Sequence, residues 1–260
     1  MARGSRRDAF AAMSLIDHLE ELRWRIIYSV IAWLVGTGLA YNERGLLMTW
    51  LRGPLDNYVR AGHQVTIAAL SVIEPVVVVF QVSLFGGLVV ALPVIVYQLW
   101  AFIAPGLTRA ERSWAGPFVV GLGGSFALGV FFAYKVVLPY AVPFMLGFLP
   151  GVTNLLSVGR YFTDIVTYLG IFGLLFELPI TLFLLTKIGL VTPQGLSRAR
   201  RYSIMGIAVF AAIITPTVDP INMGLVAVPL WLLYEVGVVL SRLAVRPAAS
   251  ATRENLTGSD

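Results

Sequence analysis

Four carboxylates occupy places where a solvated surface charge would be out of keeping. Asp17 and Glu21 stand four apart in the segment Ser14-Leu-Ile-Asp-His-Leu-Glu-Glu-Leu-Arg23. Glu111 follows in Leu107-Thr-Arg-Ala-Glu-Arg112, and Glu177 sits in the middle of the apolar stretch Phe162–Lys187. On a helix, Asp17 and Glu21 share a face and repel by a few tenths of a kcal/mol. Arg25, four beyond Glu21, relieves that repulsion. Two readings follow: a capped, salt-bridged helix start with Ser14 as N-cap, or a carboxylate cluster that waits for a cationic partner. Glu111 can pair with its neighbouring arginines. Alternatively, Glu21 and Glu111 together can serve two guanidinium groups, because each planar fork takes a carboxylate bidentately.

Glu177 poses a different problem. An ionised carboxylate deep in a bilayer costs roughly 2.5–3.5 kcal/mol on insertion scales. One reading satisfies it by hydrogen bonds to backbone or Ser/Thr near Pro179, whose missing amide leaves the Leu175 carbonyl without its usual partner. Another makes it a polar notch engaged by a partner helix, and a third makes it the titrating group of a proton-coupled secondary transporter. The transporter reading lacks an inverted repeat. Enzymatic and metal chemistry lack their parts: there is no cysteine, the two histidines are His18 and His63, and no His lies within a span to activate a nucleophile. Neither a catalytic residue nor a metal or other cofactor is expected.

These residues must be positioned by a membrane fold. The 260 residues are 58% hydrophobic and 13% charged, with mean hydropathy +0.82, whereas soluble domains run near one quarter charged. The net charge of +5 therefore does not imply a nucleic-acid partner, and its distribution matters more than its sum. Apolar stretches place six spans near 24–41, 75–102, 114–138, 161–187, 202–214 and 221–240. Helices five and six read as short. With the N-terminus in the cytoplasm, fourteen of the 19 Lys and Arg fall on that side, so both termini are placed inside. The expected architecture is an all-α integral membrane protein, one polytopic domain over residues 1–245 with a disordered cytoplasmic tail, 246–260. In the first outer loop, Leu46–Leu51 reads as a short amphipathic helix stopped by Gly53-Pro54. The apolar second outer loop, 138–159, reads as a cap lying in the interface. Ser5-Arg6-Arg7-Asp8-Ala9-Phe10 looks superficially like a twin-arginine export signal, but no apolar run follows it directly.

Several motifs together resemble one family. His18-Leu-Glu-Glu-Leu-Arg23, Tyr97-Gln-Leu-Trp-Ala-Phe-Ile-Ala-Pro-Gly-Leu107 with Glu111 behind it, Phe176-Glu-Leu-Pro179, and Thr215-Pro216 followed by Asp219 are similar to TatC, the polytopic receptor of the twin-arginine protein translocase. The likeness covers roughly residues 14 to 243. It implies a concave, glove-like six-helix bundle in a bacterial or archaeal cytoplasmic membrane, whose cytoplasmic face binds the S-R-R-x-F-L-K motif of folded cargo. It also implies assembly with the single-span subunits TatA and TatB, contact with membrane lipids and self-association in the receptor complex. By the same resemblance Glu21 and Glu111 recognise the arginine pair, with Arg23 and Asp17 in the same motif. Pro54 matches a proline of the first outer loop, Glu177 the intramembrane glutamate of helix four, and Asp219 the acidic residue of the last outer loop, one residue later than in the family pattern.

Overall fold

The computed structural model describes residues 15–106, 115–147, 154–215 and 219–244. Ser14, Glu111 and the tail from residue 245 lie outside the described residues. The described chain is almost entirely helical. In order it forms α1 (Leu15–Asn42), α2 (Arg44–Arg60), β1 (Val65–Ala68), α3 (Glu74–Ile103) and a 3₁₀ turn at Ala104–Gly106. Then come α4 (Ala115–Phe132), a π-helical segment at Ala133–Val137, α5 (Leu138–Gly147), β2 (Asn154–Ser157), α6 (Val158–Phe176), α7 (Leu178–Lys187), α8 (Pro193–Ile214) and α9 (Pro220–Ala244).

Five stretches are long and apolar enough to cross a membrane: Asp17–Asn42, Glu74–Ile103, Gly116–Gly147, Val158–Lys187 and Pro220–Ala244. Helix starts carry the expected chemistry. Ser157, Thr192 and Asp219 each accept a backbone amide of the following turn, and Pro193 and Pro220 stand at the first helical position, where a missing amide costs nothing. The fifth and sixth helices remain the shorter ones, but both extend beyond the apolar parts read from sequence. α9 has 25 residues, about 38 Å of helix. α8 has 22 residues, because helix forms through the basic turns that precede its apolar part. Arg198, Arg200 and Arg201 interrupt the apolar character of α8 while leaving its backbone regular.

Two proline readings are also corrected. Pro54 lies buried inside α2, which continues to Arg60. Gly53 lets the Tyr134 hydroxyl approach, a Cβ at that position colliding with it. The Tyr161 hydroxyl donates to the Leu51 carbonyl at 3.0 Å, beside the proline bend. The second outer segment begins as a continuation of helix, not as a separate cap. In the π segment the Leu138 amide donates to the Ala133 carbonyl, and the next residue, Pro139, needs no acceptor, so the helix runs on to Gly147. The two short strands then pair in parallel, Val65 opposite Asn154 through Ala68 opposite Ser157. Glu74 ties this pair down, accepting from the Ser157 hydroxyl and from the Leu70 amide.

Contacts divide the described residues into two compact units, 15–50 with 75–106 and 115–123, and 51–74 with 124–147, 154–215 and 219–244. In the first, α1 and α3 cross backbone to backbone. A Cβ on Gly36 would lie 2.6 Å from the Gly87 carbonyl oxygen, and one on Gly87 would collide with Thr37. Trp33 adds a 2.8 Å hydrogen bond to the Leu84 carbonyl. In the second unit α4 and α6 meet the same way. A Cβ on Gly129 would lie 2.9 Å from Gly173 Cα, and one on Gly173 2.6 Å from the Phe126 ring. Small residues serve here because lipid offers no hydrophobic drive between helices, leaving close van der Waals contact to hold them.

Gly36→Val is expected to destabilise the protein by about 1–3 kcal/mol through overpacking, read as a fall in the thermal unfolding midpoint in detergent. Gly38→Ala, whose Cβ meets nothing within 4 Å, should instead hold or raise that midpoint.

Candidate functional site

The N-terminal carboxylates lie on the first turns of α1. Glu21 accepts from Arg25 at 2.9 Å, the i,i+4 pair that relieves its repulsion with Asp17, and the other nitrogen of the Arg25 fork donates to Gln98 on α3 at 3.0 Å. His18 stacks on Phe102 with ring centroids 4.3 Å apart. The start of α1 is thereby fastened to the end of α3. The second Glu21 oxygen, Oε2, is buried and has no hydrogen-bond partner. Asp17 is exposed, and Arg23 is exposed with its guanidinium 5.5 Å from the centre of the Trp24 ring. Glu111 lies outside the described residues, so its distance from Glu21 is not defined.

A groove of about 270 Å³ opens beside this cluster between α1 and α3. Leu22, Ile26, Trp33, Leu99 and Phe102 make its walls, and Arg25 with Gln98 forms its polar end. An extended apolar side chain entering there would meet hydrocarbon and aromatic surface, with charge at one end only.

Glu177 stands at the break between α6 and α7, two residues before Pro179. Both of its carboxylate oxygens are buried without a hydrogen-bond partner. The Phe126 amide of α4 faces that side of the residue but does not meet bonding geometry. The Ser/Thr satisfaction expected from sequence goes elsewhere, since the Ser125 hydroxyl donates to the Phe176 carbonyl loosened by the break. Tyr168, two turns earlier on α6, likewise has a buried hydroxyl without a partner. Sequence reading passed over Tyr168, because a tyrosine in a span looks like any other apolar side chain.

Pro54 and Asp219 have structural surroundings. Pro54 is buried inside α2, next to Gly53, which faces the Tyr134 hydroxyl, and three residues after Leu51, whose carbonyl accepts from Tyr161. Asp219 caps α9, taking the Asn222 backbone amide at 2.8 Å and its side-chain amide at 3.1 Å. Asp219 and Pro220 form a cap-and-proline pair legible from their types alone, as do Thr192 and Pro193 for α8. Among the described residues no group of three or more His, Cys, Asp or Glu is placed to hold a metal ion.

A buried carboxyl without partners opposes folding, so Glu177→Leu is expected to stabilise the fold by an amount on the order of 1–3 kcal/mol, read as a raised thermal unfolding midpoint. Thermal denaturation of purified protein in detergent checks it, and a lowered midpoint would mean that the carboxyl is satisfied in the folded state.

Comparison with known proteins agrees with this arrangement. The sequence profile of the family described as Sec-independent protein translocase protein (TatC) matches residues 17–229. The chain is 46% identical over 235 residues to the protein of that name from Deinococcus radiodurans, covering 90% of this chain and 87% of the other. It is 39% identical over 239 residues to that from Aquifex aeolicus, covering 90% and 97%. Its fold is similar to a crystal structure of the twin-arginine translocase receptor TatC, with TM-score 0.76 and 40% identity over 88% of this chain and all of that one. An almost entirely helical chain with several helices long and apolar enough to cross a membrane, the motifs around Glu21 and Glu177, and this likeness over nearly its whole length together place the protein in the TatC family of translocase components, as a multi-pass membrane protein.

Proposed function

We propose that the chain is the receptor of a twin-arginine translocation system in a bacterial or archaeal cytoplasmic membrane, with α8 as its sixth crossing and both termini inside. It binds the paired arginines of cargo signal peptides through Glu21 and Glu111. The observation that carries this reading is the state of Glu21. One oxygen is oriented by Arg25, and the other is shielded from water and vacant. An incoming guanidinium supplies the missing donor once the side chains that cover this oxygen yield to it. Charge-assisted hydrogen bonds of this kind contribute about 1.5–3 kcal/mol each. The 3₁₀ turn after α3 ends at Gly106, five residues before Glu111 in the sequence, and the stacking of His18 on Phe102 joins the end of α3 to the start of α1. Asp17 adds negative potential to the entry, and Arg23 lies over Trp24. The apolar groove that begins at Arg25 suits the Phe and Leu that follow the arginine pair.

Glu177 serves the next step in this reading. Its unpartnered carboxyl is the docking point for a polar group on a single-span TatA- or TatB-type helix, recruited once signal peptide is bound, with the proton motive force driving transport. A proton-coupled solute transporter gains no comparable support, since the family is one of protein translocases.

Photocrosslinking from positions 21 and 111 should capture a twin-arginine precursor. The variants Glu21→Lys and Glu111→Arg should each weaken that capture at least about tenfold, the loss of one charged hydrogen bond, while inserting normally. Undiminished binding in both would end the assignment. Glu177→Ala should keep precursor crosslinking yet lose export and crosslinks to the single-span subunits; normal export by this variant would remove Glu177 from the mechanism.

A further inference from the structure

The arginines of α8 and α9 are used by none of this. Arg200 is neutralised by Glu235 at 2.6 Å. Arg201 lies 4.8 Å from the centre of the Tyr202 ring and donates to its hydroxyl at 3.0 Å. Arg198 and Arg242 have no such acidic partner among the described residues. They line a cavity of about 380 Å³ together with Pro193, Gln194 and Ser197, at the first turns of α8 and the last turn of α9. Arg242 reaches the Ser197 hydroxyl at 3.4 Å. No described carboxylate lines the cavity, and the nearby Glu235 is engaged by Arg200. Two guanidinium forks, a hydroxyl and a primary amide converge there, which is the donor set for a phosphate.

What adjoins the cavity says which phosphate. From Arg198, helical spacing carries a strip of exposed side chains along α8: Tyr202 at 58%, Met205 at 63% and Val209 at 57% exposure. On α9 the residue one turn before Arg242 is Val239, exposed at 54%. A charged recess heading an apolar strip on membrane helices fits a molecule with an anionic head and hydrocarbon tails. We propose that Arg198, Arg242, Ser197 and Gln194 form a binding site for the phosphate headgroup of an anionic lipid at the basic surface of the membrane, its acyl chains lying along α8 and α9. The proposal stands apart from the receptor reading, because it uses none of the same residues.

The test uses full-length protein in nanodiscs of phosphatidylcholine containing a minority of phosphatidylglycerol, with the lipids retained by the protein quantified by native mass spectrometry after release. Wild type should retain phosphatidylglycerol in excess of its share. Arg198→Gln and Arg242→Gln should each lower that retention about fivefold, the effect of one basic side chain at an anionic membrane surface. The double substitution to Lys should keep most of it, and Arg60→Gln should change nothing. Retention unchanged in the Arg198→Gln, Arg242→Gln double variant overturns the site. Displacement of the lipid by millimolar inorganic phosphate would overturn the lipid assignment in favour of a soluble anion.

Discussion

Lipid offers a buried polar atom no partner, so every donor and acceptor in such a chain must be answered from within. This constraint orders most of the polar contacts described above. The hydroxyls of Ser29, Thr37, Ser83 and Thr186 each donate to the carbonyl one turn back in their own helix. Near two helix prolines a side chain from another element donates to a backbone carbonyl: Tyr161 to Leu51 and Ser125 to Phe176. Among the described residues, the buried side-chain atoms left without a hydrogen bond are Glu21 Oε2, the Tyr168 hydroxyl and both oxygens of Glu177. In a fold so consistent elsewhere, such exceptions are informative. Two of the three residues are carboxylates that sequence motifs had already singled out.

The same constraint explains why glycine matters at helix crossings. With polar groups satisfied within each helix, association rests on contact distance, and a missing Cβ brings backbones together. Gly36 and Gly87 do this for α1 and α3, and Gly129 and Gly173 for α4 and α6. The second crossing stands about one turn from Glu177, whereas the first, on the helices that carry Glu21 and Gln98, is about four turns from Glu21. A close crossing one turn away limits how far the helices around Glu177 can move to relieve its carboxyl.

Not every acidic residue in a family motif has this character. Asp219 uses both side-chain oxygens on Asn222 and begins α9 ahead of Pro220, which is sufficient physical reason for a carboxylate there. Glu74, which no motif singled out, joins the strand pair to the start of α3. Both act by satisfying backbone donors. Glu21 and Glu177 differ in having capacity left over.

The sequence by itself determined the membrane class, the helices near 75–102, 161–187 and 221–240 to within about four residues of their ends, and the local pairs set by helical spacing. The Glu21–Arg25 bridge is an example, since side chains four apart on a helix meet whatever surrounds them. It also singled out Glu177, because a charge within an apolar stretch is conspicuous in one dimension. Only the tertiary structure decided what passes between elements distant in sequence. Four-residue strands carry too little periodicity to be read, and the depth of a glycine crossing depends on the facing helix. The continuation of helix through Pro54 and Pro139 depended on Tyr161 and on the π register, neither visible near the prolines. That the Glu177 carboxyl is left unanswered while Ser125 turns to the Phe176 carbonyl was likewise a tertiary decision. Hydrogen-bond satisfaction is a count over neighbours in space, and the chain order alone does not say who those neighbours are.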